Sequence, residues 1–187
     1  MAETTIELLE QLNPLDLVDL CDATEATMLD TFGFSVGFNQ WHPPLRRELE
    51  SYFKGVMLVP ERKLIVGRLD NTIAGSLQLI IPSLSNKTSN FAVSLDNHFV
   101  APWARNLGMA KALLEFSERH ALSKGYKLIR LSVNSMREAA ITLYESYGYK
   151  KWGTLEKYEN VANQIVSGYF YYKDLQKEKI ENQNETV

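Results

Sequence analysis

Stretches of alternating apolar and polar residues are interleaved along this chain with stretches of helical spacing. Thr4 to Leu9 fits either a short strand or a first helical turn. Pro14, behind Asn13 as cap, opens a helix whose apolar stripe of Leu15, Val18, Cys21, Met28 and Leu29 runs to about Thr31, with Gly33 as its stop. Leu45 to Val56 predicts a second helix, with Leu45, Leu49, Tyr52, Phe53 and Val56 on one face. Lys63–Leu69 and Thr72–Ile81 predict two strands joined at Asp70-Asn71, a hairpin turn pair. Ser83 to Asn90 is polar and reads as a loop, and Phe91 to Val100 as a strand. Leu107 to Ser123 is a helix with Met109, Leu113, Phe116 and His120 on a shared face, closed by Gly125. Leu128–Val133 reads as a buried strand. Arg137–Tyr147 reads as a helix with Ala140, Leu143 and Tyr147 inward, ended by Gly148. Tyr149–Leu155 and Gln164–Tyr172 are the last expected strands. This order predicts an α/β domain: one sheet covered by helices on both faces, with antiparallel hairpins at its two ends.

Composition adds bounds. The 187 residues are 45% apolar and 23% charged, enough for a core of ordinary size. The expected organisation is a single domain over residues 1–175 and a polar tail over 176–187. The net charge of −3 argues against nucleic acid as a partner, so any phosphate site must be local. Cys21 is the one cysteine, which excludes an internal disulfide and fits a reducing compartment. The N-terminus is acidic without a signal-peptide core, and no apolar run reaches the ~20 residues of a membrane helix, so a cytoplasmic protein without membrane contact is expected. His42, His98 and His120 lack metal-ligand spacing, and no metal site is expected.

The candidate chemistry centres on Val100 to Lys111. A strand here turns through Pro102, Arg105 and Gly108 straight into a helix. Helix N-termini present free N–H groups and the positive end of the helix dipole, which suits an anion. Gly108 lets a ligand approach the backbone, and Arg105 and Lys111 bracket the turn with positive charge. The local reading is a pyrophosphate-binding loop.

Two segments together resemble the GNAT superfamily, the Gcn5-related N-acetyltransferases. One is Arg105-Asn106-Leu107-Gly108-Met109-Ala110, similar to the family's Arg/Gln-x-x-Gly-x-Gly/Ala loop. The other is Leu143-Tyr144-Glu145-Ser146-Tyr147-Gly148-Tyr149, similar to its Leu-Tyr-Glu-x-x-Gly-Phe/Tyr helix. The likeness runs over about Phe91 to Lys173. Ser35–Phe38, Pro44-Leu45 and Tyr169–Lys173 also resemble the smaller group that includes the tabtoxin-resistance acetyltransferase. The resemblance implies the GNAT fold: a mixed, mostly antiparallel sheet of about seven strands with helices on both faces.

It also implies acetyl-coenzyme A (acetyl-CoA) as cosubstrate, without a metal. His98, Phe99 and Val100 would pair with the pantetheine arm and thioester through their backbone. Arg105, Asn106, Leu107, Gly108, Met109, Ala110 and Lys111 would hold the pyrophosphate. Tyr144 would act as general acid toward the leaving thiolate. A phenol pKa near ~10 and a thiol pKa near ~8.5 suit that transfer. The acceptor would be an amine, or a hydroxyl, of a small molecule or protein, and a homodimer is among the expected assemblies.

The chain departs from the family pattern where many relatives carry a glutamate base: Ser94 and Ser132 stand there. Asp96 and His98 share strand parity with Ser94 and are the candidate bases. Their plainer readings are a solvated carboxylate and a hydrogen-bonded core imidazole. Arg137 stands where many members have a cofactor-contacting asparagine, with Asn134 three residues earlier, and is a candidate to reach the cofactor, for instance at a phosphate. Phe34, Phe38 and Trp41 are candidates for the acceptor pocket, or for a structural lid. Tyr144 has a core-aromatic alternative. The missing glutamates also motivate a second class of function, an acyl-CoA-binding sensor or partner module with weak or no catalysis.

Overall fold

The computed structural model describes residues 3–31, 44–83 and 85–176. Its elements are β1 (Thr4–Leu8), α1 (Pro14–Asp30), α2 (Arg46–Leu58), β2 (Arg62–Leu69), β3 (Thr72–Ile80), β4 (Ala92–Val100), α3 (Met109–Ser123), β5 (Leu128–Asn134), α4 (Glu138–Ser146), β6 (Lys150–Val161) and β7 (Gln164–Asp174). The strands form one seven-stranded mixed sheet in the order β1-β2-β3-β4-β5-β7-β6, flanked by helices, which bears out the predicted fold class. β4 and β5 pair in parallel through Ala92, Val93 and Ser94, opposite Leu128, Ile129 and Arg130. The registers of β1–β2, β2–β3, β5–β7 and β6–β7 are antiparallel.

The chain divides into two compact units. The first comprises Met1–Ile80 with Asp96–Ser117, the second Ile81–Leu95 with Glu118–Val187. The first unit's core joins α1, α2, β2 and β3 through Leu20, Cys21, Leu49, Phe53, Val56, Leu64, Val66 and Ile73. The second unit buries Ile129 and Leu131 of β5, Tyr144 of α4, and Val166 and Tyr171 of β7.

Thr4–Leu8 resolves as a strand, paired to β2. Asn13 caps α1 by accepting the Asp16 N–H at 2.9 Å, as the sequence predicts. The buried face of α1 differs from the predicted stripe. Leu15 and Leu29 are 76% and 70% exposed, while Asp16, Leu20, Cys21, Ala23, Thr24 and Thr27 turn inward. The polar members of that face are satisfied locally. Thr24 and Thr27 donate to the carbonyls of Leu20 and Ala23, and Asp16 holds Arg68 at 2.8 Å.

α4 differs in the same way. Tyr144 is its buried residue, whereas Ala140, Leu143 and Tyr147 are half-buried. β6 runs past the predicted Leu155 to Val161 and turns at Ala162-Asn163, both with positive φ. The Asp70-Asn71 turn has the same backbone geometry, with φ of 47° and 73°.

Candidate active site

The first unit contains the predicted anion loop. β4 ends at Val100, and Ala101 donates its N–H to Ala74 of β3 at 2.7 Å. A 3-10 turn over Pro102–Ala104 follows. Asn106 and Gly108 then take left-handed φ values of 62° and 79°. Those two reversals bring the chain round to start α3 at Met109. Asparagine tolerates that conformation and glycine adopts it without strain. The Ala112 N–H bonds along the axis to Gly108 O at 3.0 Å. The N–H groups of Gly108, Met109 and Ala110 precede that bond and have no acceptor within the helix.

Gly108 is exposed, and a Cβ placed there would meet nothing within 4 Å, so the turn is open to a ligand. Beneath it, the Met109 side chain is 1% exposed and packs over Gly67 and Gly75. A Cβ at Gly67 would stand 2.8 Å from Met109 Cγ and Sδ, and one at Gly75 would stand 2.7 Å from Phe99 O. The helix start is therefore seated on the sheet over two glycines, of which Gly75 faces a backbone atom and Gly67 a flexible side chain.

The predicted loop cations are placed differently from one another. The Arg105 guanidinium turns to the C-terminal end of α1, donating to Asp30 Oδ2 at 2.5 Å and Thr31 Oγ1 at 2.7 Å, with Nε on Val100 O at 3.3 Å. In this structure Arg105 fastens the loop to α1. Lys111 lies along α3, 3.8 Å from Glu115. Asn106 and Leu107 are exposed on the turn, and Trp103 beside them is 51% exposed.

Both candidate bases lie on β4 and are engaged in polar contacts. Asp96 accepts the Asn97 N–H on Oδ1 at 2.9 Å and faces Arg62 Nη1 with Oδ2 at 3.3 Å. His98 Nε2 lies 3.1 Å from Ala110 O. A carbonyl only accepts, so Nε2 carries a hydrogen in this contact. The structure thus brings His98 against the first turn of α3. Phe99 and Val100 are buried at the end of the strand.

In the second unit, Tyr144 is 6% exposed and its ring centroid lies 5.7 Å from that of Tyr149. Arg137 caps α4, with its N–H on Asn134 O at 3.1 Å. Asn134 is 5% exposed and donates Nδ2 to Glu159 at 2.8 Å. Tyr171, wholly buried, donates to Glu145 at 2.8 Å, and burial together with that carboxylate pushes its phenol up to about 12.

Two arrangements had no counterpart in the sequence reading. In the second unit Tyr158 crosses Gly168 to reach Ser132, hydroxyl to hydroxyl at 2.8 Å. A Cβ at Gly168 would lie 2.1 Å from the Tyr158 ring, so that crossing requires glycine. In the first unit Tyr52, Gln78, Asn97, Asp96 and Arg62 form one polar network around β4. The predicted pocket residues Phe34, Phe38 and Trp41, with His42, lie outside the described residues. Among the described residues no group of three His, Cys, Asp or Glu could hold a metal ion, and no helix is long and apolar enough to cross a membrane.

Comparison with known proteins follows the same lines. A family model described as the acetyltransferase (GNAT) family matches residues 24–149. An uncharacterized N-acetyltransferase in the hisH-hisA intergenic region of Azospirillum brasilense is 43% identical over 133 residues, covering 71% of this chain and 77% of that protein. Among solved structures, an N-acetyltransferase from Staphylococcus aureus Mu50 superposes with a TM-score of 0.73 at 19% identity, covering 93% of this chain and 99% of that one. A phosphinothricin acetyltransferase from Sinorhizobium meliloti, solved in complex with acetyl-CoA, gives 0.70 at 17% identity, covering 91% of this chain and 88% of that one.

Proposed function

The chain belongs to the acetyltransferase (GNAT) family, and from that premise we propose that it moves the acetyl group of acetyl-CoA to an amine of a small-molecule acceptor by direct attack. The observation that carries this reading is the β4–α3 turn. Two left-handed residues, Asn106 and Gly108, deliver the chain into a fifteen-residue helix whose first N–H groups stand beside an open glycine. A pyrophosphate there meets backbone donors and the positive end of the α3 dipole.

The chain's residues then divide the work. The turn from Arg105 to Lys111 binds the pyrophosphate through its backbone. The backbone of His98, Phe99 and Val100 orients the pantetheine arm and polarises the thioester carbonyl. The amine nitrogen forms the new bond to the acetyl carbon as the carbon–sulfur bond breaks. Tyr144 gives its phenolic proton to the departing sulfur. The proton leaving the amine goes to His98 Nδ1, to Asp96, or to water held by either.

The test is thiol release from acetyl-CoA with a panel of primary amines. Wild type releases thiol with at least one amine, and Tyr144→Phe lowers kcat about a hundredfold. An unchanged kcat in that variant removes Tyr144 from the acid role.

One observation favours a second reading. Both oxygens of Asp96 and the Nε2 of His98 are engaged within the protein. An acyl-CoA-binding module without catalysis would bind acetyl-CoA tightly and release no thiol with any amine.

A further inference from the structure

Asn97 breaks the regular course of β4. It takes a left-handed φ of 48° in the middle of a strand, a conformation that asparagine tolerates but that interrupts the extended course of the strand. The neighbours come from three other elements. Asn97 Nδ2 donates to the Tyr52 hydroxyl of α2 at 2.7 Å, and Gln78 Nε2 of β3 donates to the same oxygen at 2.9 Å. Arg62 of β2 gives Nη1 to Gln78 Oε1 at 2.5 Å and lies 3.3 Å from Asp96 Oδ2. Asp96 Oδ1 closes the set by accepting the Asn97 N–H.

Chemistry fixes the direction of these bonds. Arginine only donates, so Arg62 holds the Gln78 amide oxygen toward itself and leaves the amide nitrogen to face Tyr52. Gln78 is fully buried, so without the Tyr52 oxygen its N–H would lose that partner where water cannot replace it. Burial raises the Tyr52 phenol above its ordinary value, against the opposing pull of the Gln78 bond, so at neutral pH the oxygen is a hydroxyl.

We infer that Tyr52 is a positioning residue for the acyl donor: through Asn97, its hydroxyl holds the left-handed kink in β4 in the shape that sets the backbone of the next residues, His98, Phe99 and Val100. The inference rests on the donor role proposed above for that backbone. Tyr52 acts through the strand. The pyrophosphate turn stands on a different support, Met109 over Gly67 and Gly75.

That separation gives the test. Tyr52→Phe keeps the ring that meets Phe53 edge-on at 5.2 Å and removes only the oxygen. The probes are acetyl-CoA and adenosine 3′,5′-bisphosphate, its nucleotide end, each titrated calorimetrically against the full chain. Tyr52→Phe weakens acetyl-CoA about tenfold and leaves the bisphosphate within about twofold of wild type. Asn97→Gly, which adopts positive φ freely but lacks the donor, shows the same loss. The double variant is no weaker than either single one. Unchanged acetyl-CoA affinity in Tyr52→Phe, or equal weakening of both probes, overturns the inference. A wild-type protein that binds neither probe would instead remove the donor reading itself.

Discussion

The turn after β4 and the left-handed kink at Asn97 within β4 are neighbours in the chain and are built by opposite means. The turn is local. Two left-handed residues and a helix start lie within Arg105–Lys111, and its chemistry is that of the backbone. The kink is held at long range by Arg62, Gln78, Tyr52, Asp96 and Asn97, on four elements, through side chains. A local device survives most changes elsewhere and fails to a single change in its own glycine. A network fails to the loss of any member that leaves a buried partner unsatisfied.

Substitutions can separate the two. The largest effect is expected at Gly108, where φ is 79°. Gly108→Val forces a β-branched residue into that conformation and should lower acetyl-CoA affinity about a hundredfold in calorimetry. Stability should fall as well, because a side chain at this φ is strained even where nothing lies within 4 Å of the new Cβ.

Gly75→Ala comes next. Its Cβ would stand 2.7 Å from Phe99 O, a backbone atom that cannot swing aside. Denaturant unfolding should show a loss of about 2–3 kcal/mol. Gly67→Ala faces the flexible Met109 side chain at 2.8 Å and should cost less. Equal costs would mean that Met109 is held as rigidly as the strand.

The smallest effect belongs to Arg105. Its pair with Asp30 is 37% and 48% exposed, so Arg105→Ala should cost under about 1 kcal/mol of stability. It should leave acetyl-CoA affinity within about threefold, because the guanidinium faces α1 and not the turn. A tenfold loss of affinity would assign Arg105 a direct phosphate contact instead.

The same contrast governs what the amino-acid sequence makes legible. The turn reads directly, because glycine, a helix cap position and a preceding strand are neighbours in the chain. The Asp70-Asn71 hairpin reads for the same reason. The Ala162-Asn163 turn does not, because alanine seldom takes positive φ and the preceding Glu156 to Asn160 are polar, which hides the extension of β6. The buried face of α1 does not read from the sequence, because its threonines and Asp16 find partners within the fold, so polarity there does not signal exposure. Asp96 and His98 stand out in the sequence as polar groups on β4, but their partners, Arg62 and Ala110, are set by tertiary pairing that no spacing encodes. Tyr52 counted only as one apolar position on a helix face; its hydroxyl gains meaning once Gln78 and Asn97 meet it.

The most direct test of the donor site is an amide NMR titration of the wild-type chain with acetyl-CoA. The largest shifts are expected on the N–H signals of Asn106 to Lys111 and of His98 to Val100. If those signals stay in place while others move, acetyl-CoA binds elsewhere and the β4–α3 turn is not its pyrophosphate site.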